Sequence, residues 1–416
     1  MHMKRLAGLV LGLAFAGCAL ADGAPSRPAI DAPELAKLGS FGVGLKTITL
    51  TDEDRPLVVE LWYPAKVVAD AVPVTYAGSF TAEPPAPPTR FTRPGIAVRD
   101  ARPTAGRFPL VIVSHGYDND AIALSWLTEN LASKGYVVAA IRHADPPITD
   151  PKGFPELLLR RPLDVAFVAR ALPAALDGGP GVDAARIALI GYSMGGYGVL
   201  TAAGGELDPG SPLSGMVPGG LLKPYSRGGD RRDAVRAAGV KAVVAISPAG
   251  GSLGAWGENG LASITAPLLL IAGDRDGTVD YKSGARAFFD QATGSNRYLL
   301  TFLGGGHRIG LGPAPEEMRQ RQWDQDWFED AVWRSERVVG INLHFITAFF
   351  DRYVKDDASR ASYLDGLTPR SDDGAWPPSP GEPYGAYSPG SEGITLWKGF
   401  QRQHAEGLEL LHATPR

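Results

Sequence analysis

The stretch Ile187-Ala188-Leu189-Ile190-Gly191-Tyr192-Ser193-Met194-Gly195-Gly196 decides the fold. An apolar run leads into a G-x-S-x-G pentapeptide, and residues 197–203 are compatible with a helix. Strand, sharp turn and helix in that order make a nucleophile elbow, whose two glycines leave room for a strained serine with its hydroxyl exposed. A bare five-residue match also describes ordinary Gly/Ser turns. The preceding strand and the added Gly196 favour the elbow.

Outward from this point, short Val/Ile/Leu-rich runs alternate with amphipathic stretches from about residue 41 to 354, the pattern of an α/β domain with a mostly parallel central sheet and helices on both faces. The runs predict strands at 57–63, 110–114, 137–142, 187–190, 242–247, 268–272 and 298–303. Leu124, Leu127 and Leu131 recur with helical spacing before Gly135, a C-terminal glycine stop. Val165, Val168 and Leu172 repeat that spacing, with Pro162 suited to a first helical turn, and Val339, Leu343, Ile346 and Phe350 form a late stripe. Glu83-Pro84-Pro85-Ala86-Pro87-Pro88 belongs to a loop. The Gly-, Pro- and charge-rich stretch 208–239 falls where an insertion would cover a site, and 372–393 is a Pro/Gly/Ser-rich linker before a polar tail. The expected organisation is a leader (1–21), a linker (22–40), the α/β domain (41–355) with a possible cap at 208–239, and a C-terminal extension (356–416).

A serine hydroxyl needs a base, and in this arrangement the histidine comes late in the chain. His307 follows the strand at 298–303 and the run Gly304-Gly305-Gly306, which lets a loop bring the imidazole to Ser193. His344 sits in the helical stripe, where an exposed or locally satisfied side chain is expected, and His404 and His412 lie beyond the linker. The acid that orients His307 should end an earlier strand: Gly273-Asp274-Arg275-Asp276 follows 268–272, and the spacing favours Asp276, with Asp274 the alternative and better placed for a turn. Met194 N–H and Tyr117 N–H, the latter after Ser114-His115-Gly116, are the expected oxyanion donors. His115 precedes the elbow and is read as a brace for that loop. Tyr117 and Trp256 are candidates for the substrate wall, with core packing an equal reading of Trp256.

The combination Arg55-Pro56-Leu57, Leu61-Trp62-Tyr63-Pro64, Phe108-Pro109-Leu110-Val111, His115-Gly116, Arg161-Pro162-Leu163-Asp164, Gly191 to Gly196, Gly273 to Asp276 and His307 resembles bacterial α/β-hydrolases related to platelet-activating factor acetylhydrolase and predicted dienelactone hydrolases. Dienelactone hydrolases proper carry a cysteine nucleophile, where this chain has Ser193. Ser-Met-Gly-Gly and Tyr117 are also similar to secreted cutinase-like polyester hydrolases, which usually carry an aromatic residue or histidine before the serine, as Tyr192 does here. The resemblance implies an α/β-hydrolase fold and a carboxylic-ester hydrolase without metal or organic cofactor. Ser193 would be the nucleophile, His307 the base, Asp276 its partner, and Tyr192 a substrate contact; the substrate would be a small or polymeric ester.

Composition narrows the partners. Lys+Arg of 41 against Asp+Glu of 45 leaves a net charge of −4, too near neutral for a basic nucleic-acid face. The one cysteine, Cys18, lies in the leader, so the body of the chain has no thiol. Met1-His2-Met3-Lys4-Arg5 and the apolar run 6–17 read as a signal peptide rather than a membrane span. Ala19-Leu20-Ala21 offers a cleavage site, and Phe15-Ala16-Gly17-Cys18 a lipoprotein signal with a lipid anchor at Cys18. Either route predicts export.

Overall fold

The computed structural model describes residues 29, 31–52, 55–80, 86–148, 150, 152–176, 179–376, 393–401 and 404–416. The leader with Cys18, residues 83–85 of the proline-rich loop and residues 377–392 of the linker lie outside them.

Thirteen strands form among the described residues: β1 (Gly42–Asp52), β2 (Arg55–Lys66), β3 (Thr75–Phe80), β4 (Thr89–Pro94), β5 (Val98–Arg99), β6 (Arg102–Pro103), β7 (Phe108–Ser114), β8 (Val137–Arg142), β9 (Val182–Tyr192), β10 (Val240–Ile246), β11 (Leu268–Gly273), β12 (Arg297–Phe302) and β13 (Leu408–Ala413). The main sheet runs β13-β12-β11-β10-β9-β7-β8-β2-β1-β5, with β6 on β2, while β3 and β4 pair apart from it. The sheet is mixed rather than mostly parallel. Strands β8, β7, β9, β10, β11 and β12 run parallel, but β2 is antiparallel to both β8 and β1, and β13 is antiparallel to β12. Every strand expected from an apolar run lies in the parallel centre except β2. The antiparallel edges escaped because β1 and β13 bury only part of their residues.

The helices are α1 (Ser125–Ser133), α2 (Phe154–Ala175), α3 (Met194–Ala202), α4 (Pro212–Met216), α5 (Ala287–Gln291), α6 (Gln322–Asp326) and α7 (Ser335–Tyr353). No described helix is long and apolar enough to cross a membrane. Strand alternation splits the core in two. Val111 and Val113 of β7 pack with Leu127 and Leu131 of α1 and Val339, Leu343 and Phe350 of α7. Leu110 and Ile112 turn to the opposite face, with Val165, Val168 and Leu172 of α2 and Leu200 of α3. Each such buried aliphatic side chain contributes about 1.5–3 kcal/mol.

Two sequence expectations change, and a third segment gains a structural account. The polar tail is the edge strand β13, paired with β12 from Arg297↔Ala413 to Phe302↔Leu408. The 208–239 stretch is packed in part into the core. Its Leu213, Val217, Leu222 and Val235 are buried, most of them in the core beside α2 and α3. Finally, α2 begins at Phe154, so Pro162 lies inside the helix rather than in its first turn. Proline has no N–H, which leaves the carbonyl four residues earlier without its helical donor. That carbonyl, Leu158 O, accepts the Tyr197 hydroxyl at 2.9 Å, so α3 repairs the gap in α2. Tyr197→Phe is expected to cost about 1–2 kcal/mol in urea unfolding. The cost should shrink in a Pro162→Ala background, whose new N–H takes the same carbonyl; an unchanged cost would refute the repair.

Candidate active site

The C-terminal ends of the parallel strands deliver the site. Gly191 and Tyr192 close β9, Ser193 makes the turn at φ 53° and ψ −116°, and Met194 opens α3. A non-glycine residue at positive φ costs on the order of 1–3 kcal/mol, so its surroundings must hold it there. Ser193 N–H donates to Ile246 O at 2.9 Å, and Ala249 N–H donates to Ser193 O at 3.0 Å. The flanking glycines are required by close approach. A Cβ on Gly191 would stand 2.2 Å from Gly195 O, and one on Gly195 only 1.9 Å from Ser114 O.

His307 follows β12 and its glycine run. His307 Nε2 lies 3.0 Å from Ser193 Oγ, and His307 Nδ1 lies 2.8 Å from Asp276 Oδ2. Asp276 Oδ1 accepts Thr278 N–H at 3.0 Å and Val279 N–H at 3.2 Å. Burial pushes the Asp276 carboxyl up, but the His307 hydrogen bond and charge and these two backbone donors outweigh it and hold the group below its ordinary value. Asp274 does different work: its Oδ1 accepts Gly304 N–H at 2.7 Å. With Arg275 N–H to Gly305 O at 2.9 Å and Gly306 N–H to Asp330 Oδ2 at 2.6 Å, it ties down the glycine run that carries His307.

Met194 N–H is at a helix start, where no intrahelical acceptor exists. Tyr117 follows β7, whose last residue, Ser114, pairs with Gly191. His115 is buried: its Nδ1–H donates to Gly116 O at 2.7 Å and its Nε2 accepts His143 N–H at 3.3 Å. Burial, then the Arg161 charge, press its pKa well below the ordinary value and keep the ring neutral, as two such bonds require. Its contacts are those of a loop brace. His344 is not exposed. It is fully buried, its Nδ1 accepts Leu35 N–H at 3.2 Å, and burial presses its pKa down to about 3.

A cavity of about 260 Å³ reaches Ser193 and His307. Its wall includes Tyr117, Ile148, Phe154, Leu158, Leu213, Leu253 and Trp327, with Tyr192 behind the elbow and Arg308 beside His307. Tyr117 reaches Pro147 O with its hydroxyl at 3.2 Å and packs on Phe154 at 5.7 Å between ring centroids. Tyr192 is buried, packs at a tilt on His307 with ring centroids 5.2 Å apart and donates to His307 O at 3.2 Å, so it also supports the imidazole. Trp256 does not line the cavity. It is buried behind α3, where Nε1 donates to Thr201 Oγ1 at 3.2 Å and the ring packs on Tyr197 and Phe288. Of the 208–239 stretch only Leu213 reaches the cavity. Phe154, Trp327 and Arg308 escaped the motif reading. Arg308 was signalled by its adjacency to His307, whereas nothing in the sequence near Trp327 marks it.

A family model described as PET hydrolase-like matches residues 97–214, the part of the chain that holds β7 with its loop, α2 and the Ser193 turn. No curated protein matches the chain. From the close approach at the turn, Gly195→Ala is expected to lower stability by about 3 kcal/mol or more or to prevent folding. Thermal denaturation checks this, and a wild-type midpoint would mean that β7 and α3 have room to separate.

Proposed function

We propose that the chain is a serine hydrolase of carboxylic esters. The observation that carries the reading is the continuous path Ser193 Oγ, His307 Nε2, His307 Nδ1, Asp276 Oδ2 at the edge of a mainly apolar cavity. In this reading Ser193 Oγ attacks the ester carbonyl while His307 Nε2 takes its proton. Asp276 holds Nδ1–H and stabilises the imidazolium. The Met194 and Tyr117 N–H groups meet the negative oxygen of the tetrahedral intermediate. His307 returns the proton to the leaving alcohol, and water, activated in the same way, releases the acyl group from Ser193.

The small apolar cavity supports an uncharged or weakly polar ester of short to medium acyl chain. The match at residues 97–214 favours a second reading, a cutinase-like polyester hydrolase, in which the same cavity holds one repeat of a polymer. Triad chemistry alone does not encode the leaving group, so a serine peptidase or acyltransferase shares the geometry. The leader, with cleavage after Ala21 or lipidation at Cys18, supports export to the periplasm or beyond.

Ser193→Ala is expected to lower p-nitrophenyl ester hydrolysis by on the order of 10⁴-fold or more with the fold retained; substantial residual turnover would overturn the nucleophile. Asp276→Asn should cost on the order of 10³–10⁴-fold, and Asp274→Asn less than about tenfold. Equal effects would move the role to Asp274. A kcat/KM profile over acyl length should peak at short to medium chains, and a maximum at long chains with interfacial activation would refute the substrate class. Turnover of aminoacyl amides at the rate of esters would favour a peptidase.

A further inference from the structure

The loop that carries Tyr117 is held from below by one guanidinium. Arg161, on α2, is fully buried and does not line the cavity. Its Nη2 donates to Gly116 O at 3.2 Å, and its Nη1 donates to His115 O and, at 3.3 Å, to Ser114 Oγ. The guanidinium plane is set in turn by Asp145, which accepts Nε at 3.1 Å and Nη2 through its two oxygens. Arginine has five N–H donors in a rigid fork, and these contacts occupy every nitrogen. His115 Nδ1–H is a second donor to Gly116 O.

The consequence follows from peptide geometry. In a trans peptide the C=O of one residue and the N–H of the next point in opposite directions within one plane. Fixing Gly116 O toward Arg161 therefore turns the Tyr117 N–H away from that guanidinium, and Tyr117, Ser193 and Met194 all line the cavity. Resting on the ester-hydrolase reading above, we propose that Arg161, oriented by Asp145, is a positioning residue for catalysis: it aims the Tyr117 N–H at the oxyanion from beneath the site without touching substrate. Oxyanion donors act on charge that exists only in the transition state, so misaiming one lowers kcat and spares KM. Lysine at this position keeps the charge opposite Asp145 but has no fork to hold two successive carbonyls.

The test compares wild type, Arg161→Lys and the milder Asp145→Asn, each normalised to sites titrated with a fluorophosphonate and checked for folding by thermal denaturation. The expected result is a kcat lower by about 10-fold to 100-fold in Arg161→Lys and less in Asp145→Asn. KM should stay within about threefold, and inhibition by a trifluoromethyl ketone, which presents an oxyanion when Ser193 adds to it, should weaken in step with kcat/KM. A purely structural role would reduce the titrated fraction and leave kcat per site and ketone affinity unchanged, which would overturn the proposal. If Arg161→Lys does not fold, an Asp145→Asn enzyme with wild-type kcat and ketone affinity overturns it equally. Failure of the wild type to hydrolyse esters or to be labelled at Ser193 refutes the underlying reading instead.

Discussion

The structure depends on one strained turn. Ser193 occupies positive φ because the end of β10 and the loop after it hold it on both sides, through Ile246 O and Ala249 N–H, and because Gly191 and Gly195 let α3 press against the end of β7. The cost of that backbone is met by the surrounding sheet rather than by Ser193 itself. Since β9 sits between β7 and β10, with β11 and β12 next in line and all parallel, their C-terminal loops emerge at one edge. Tyr117, Ser193, Asp276 and His307 therefore converge from four separate strands. Convergence at the carboxyl ends of parallel strands is the general rule for open α/β sheets.

A buried polar layer joins the ends of β7 and β8 to α2. Asp164 accepts His143 Nδ1–H at 2.8 Å and pairs with Arg55, while His143 Nε2 meets Ser114 Oγ at 2.9 Å. Arg161 lies one helical turn before Asp164 and holds the same loop from its other side. The Arg161-Pro162-Leu163-Asp164 element thus has a physical content that its sequence alone did not disclose. Arg161 grips the β7 loop directly, Asp164 acts on the end of β7 through His143, and the proline releases a carbonyl that α3 captures. Partly satisfied, such a layer would be costly; with these partners in place it fixes one arrangement of the loop.

What was legible followed from how much each segment encodes by itself. Strands buried on both faces, such as β8 and β11, announce themselves as continuous apolar runs. The Ser193 turn, the glycine run before His307 and the acid after β11 are local patterns, and the structure brings those three side chains into hydrogen-bond distance. The edge strand β13 was not legible. Leu-Glu-Leu-Leu-His-Ala alternates weakly, and only the free edge of β12 makes it a strand. The 208–239 stretch is rich in charge, but its interspersed leucines and valines pack against α2 and α3. Trp256 sits in a glycine-rich loop suited to a cavity wall, yet an acceptor for its indole N–H lies on α3, away from the cavity.

The part of the cavity wall at Trp327 and Arg308 rests on a hairpin that no local pattern connects to it. Trp327 packs at a tilt on Phe80 at 4.7 Å, and Phe328 meets Phe91 at 5.7 Å, so the β3–β4 hairpin backs the segment after His307. Thr89 Oγ1 donates to Asp324 at 2.8 Å and Arg93 Nη2 donates to Pro313 O at 2.9 Å, adding polar ties along the same seam. The hairpin is in turn anchored to the body of the protein, because Tyr76 accepts Trp62 Nε1–H from β2 and donates to Glu129 of α1, each at 2.7 Å. Arg308, beside His307, lies over the Trp327 ring at 4.7 Å and donates to Asp326 O at 2.8 Å. Ser193, Asp276 and His307 thus come from loops of the parallel strands, whereas an off-sheet hairpin supports the Trp327 side of the cavity.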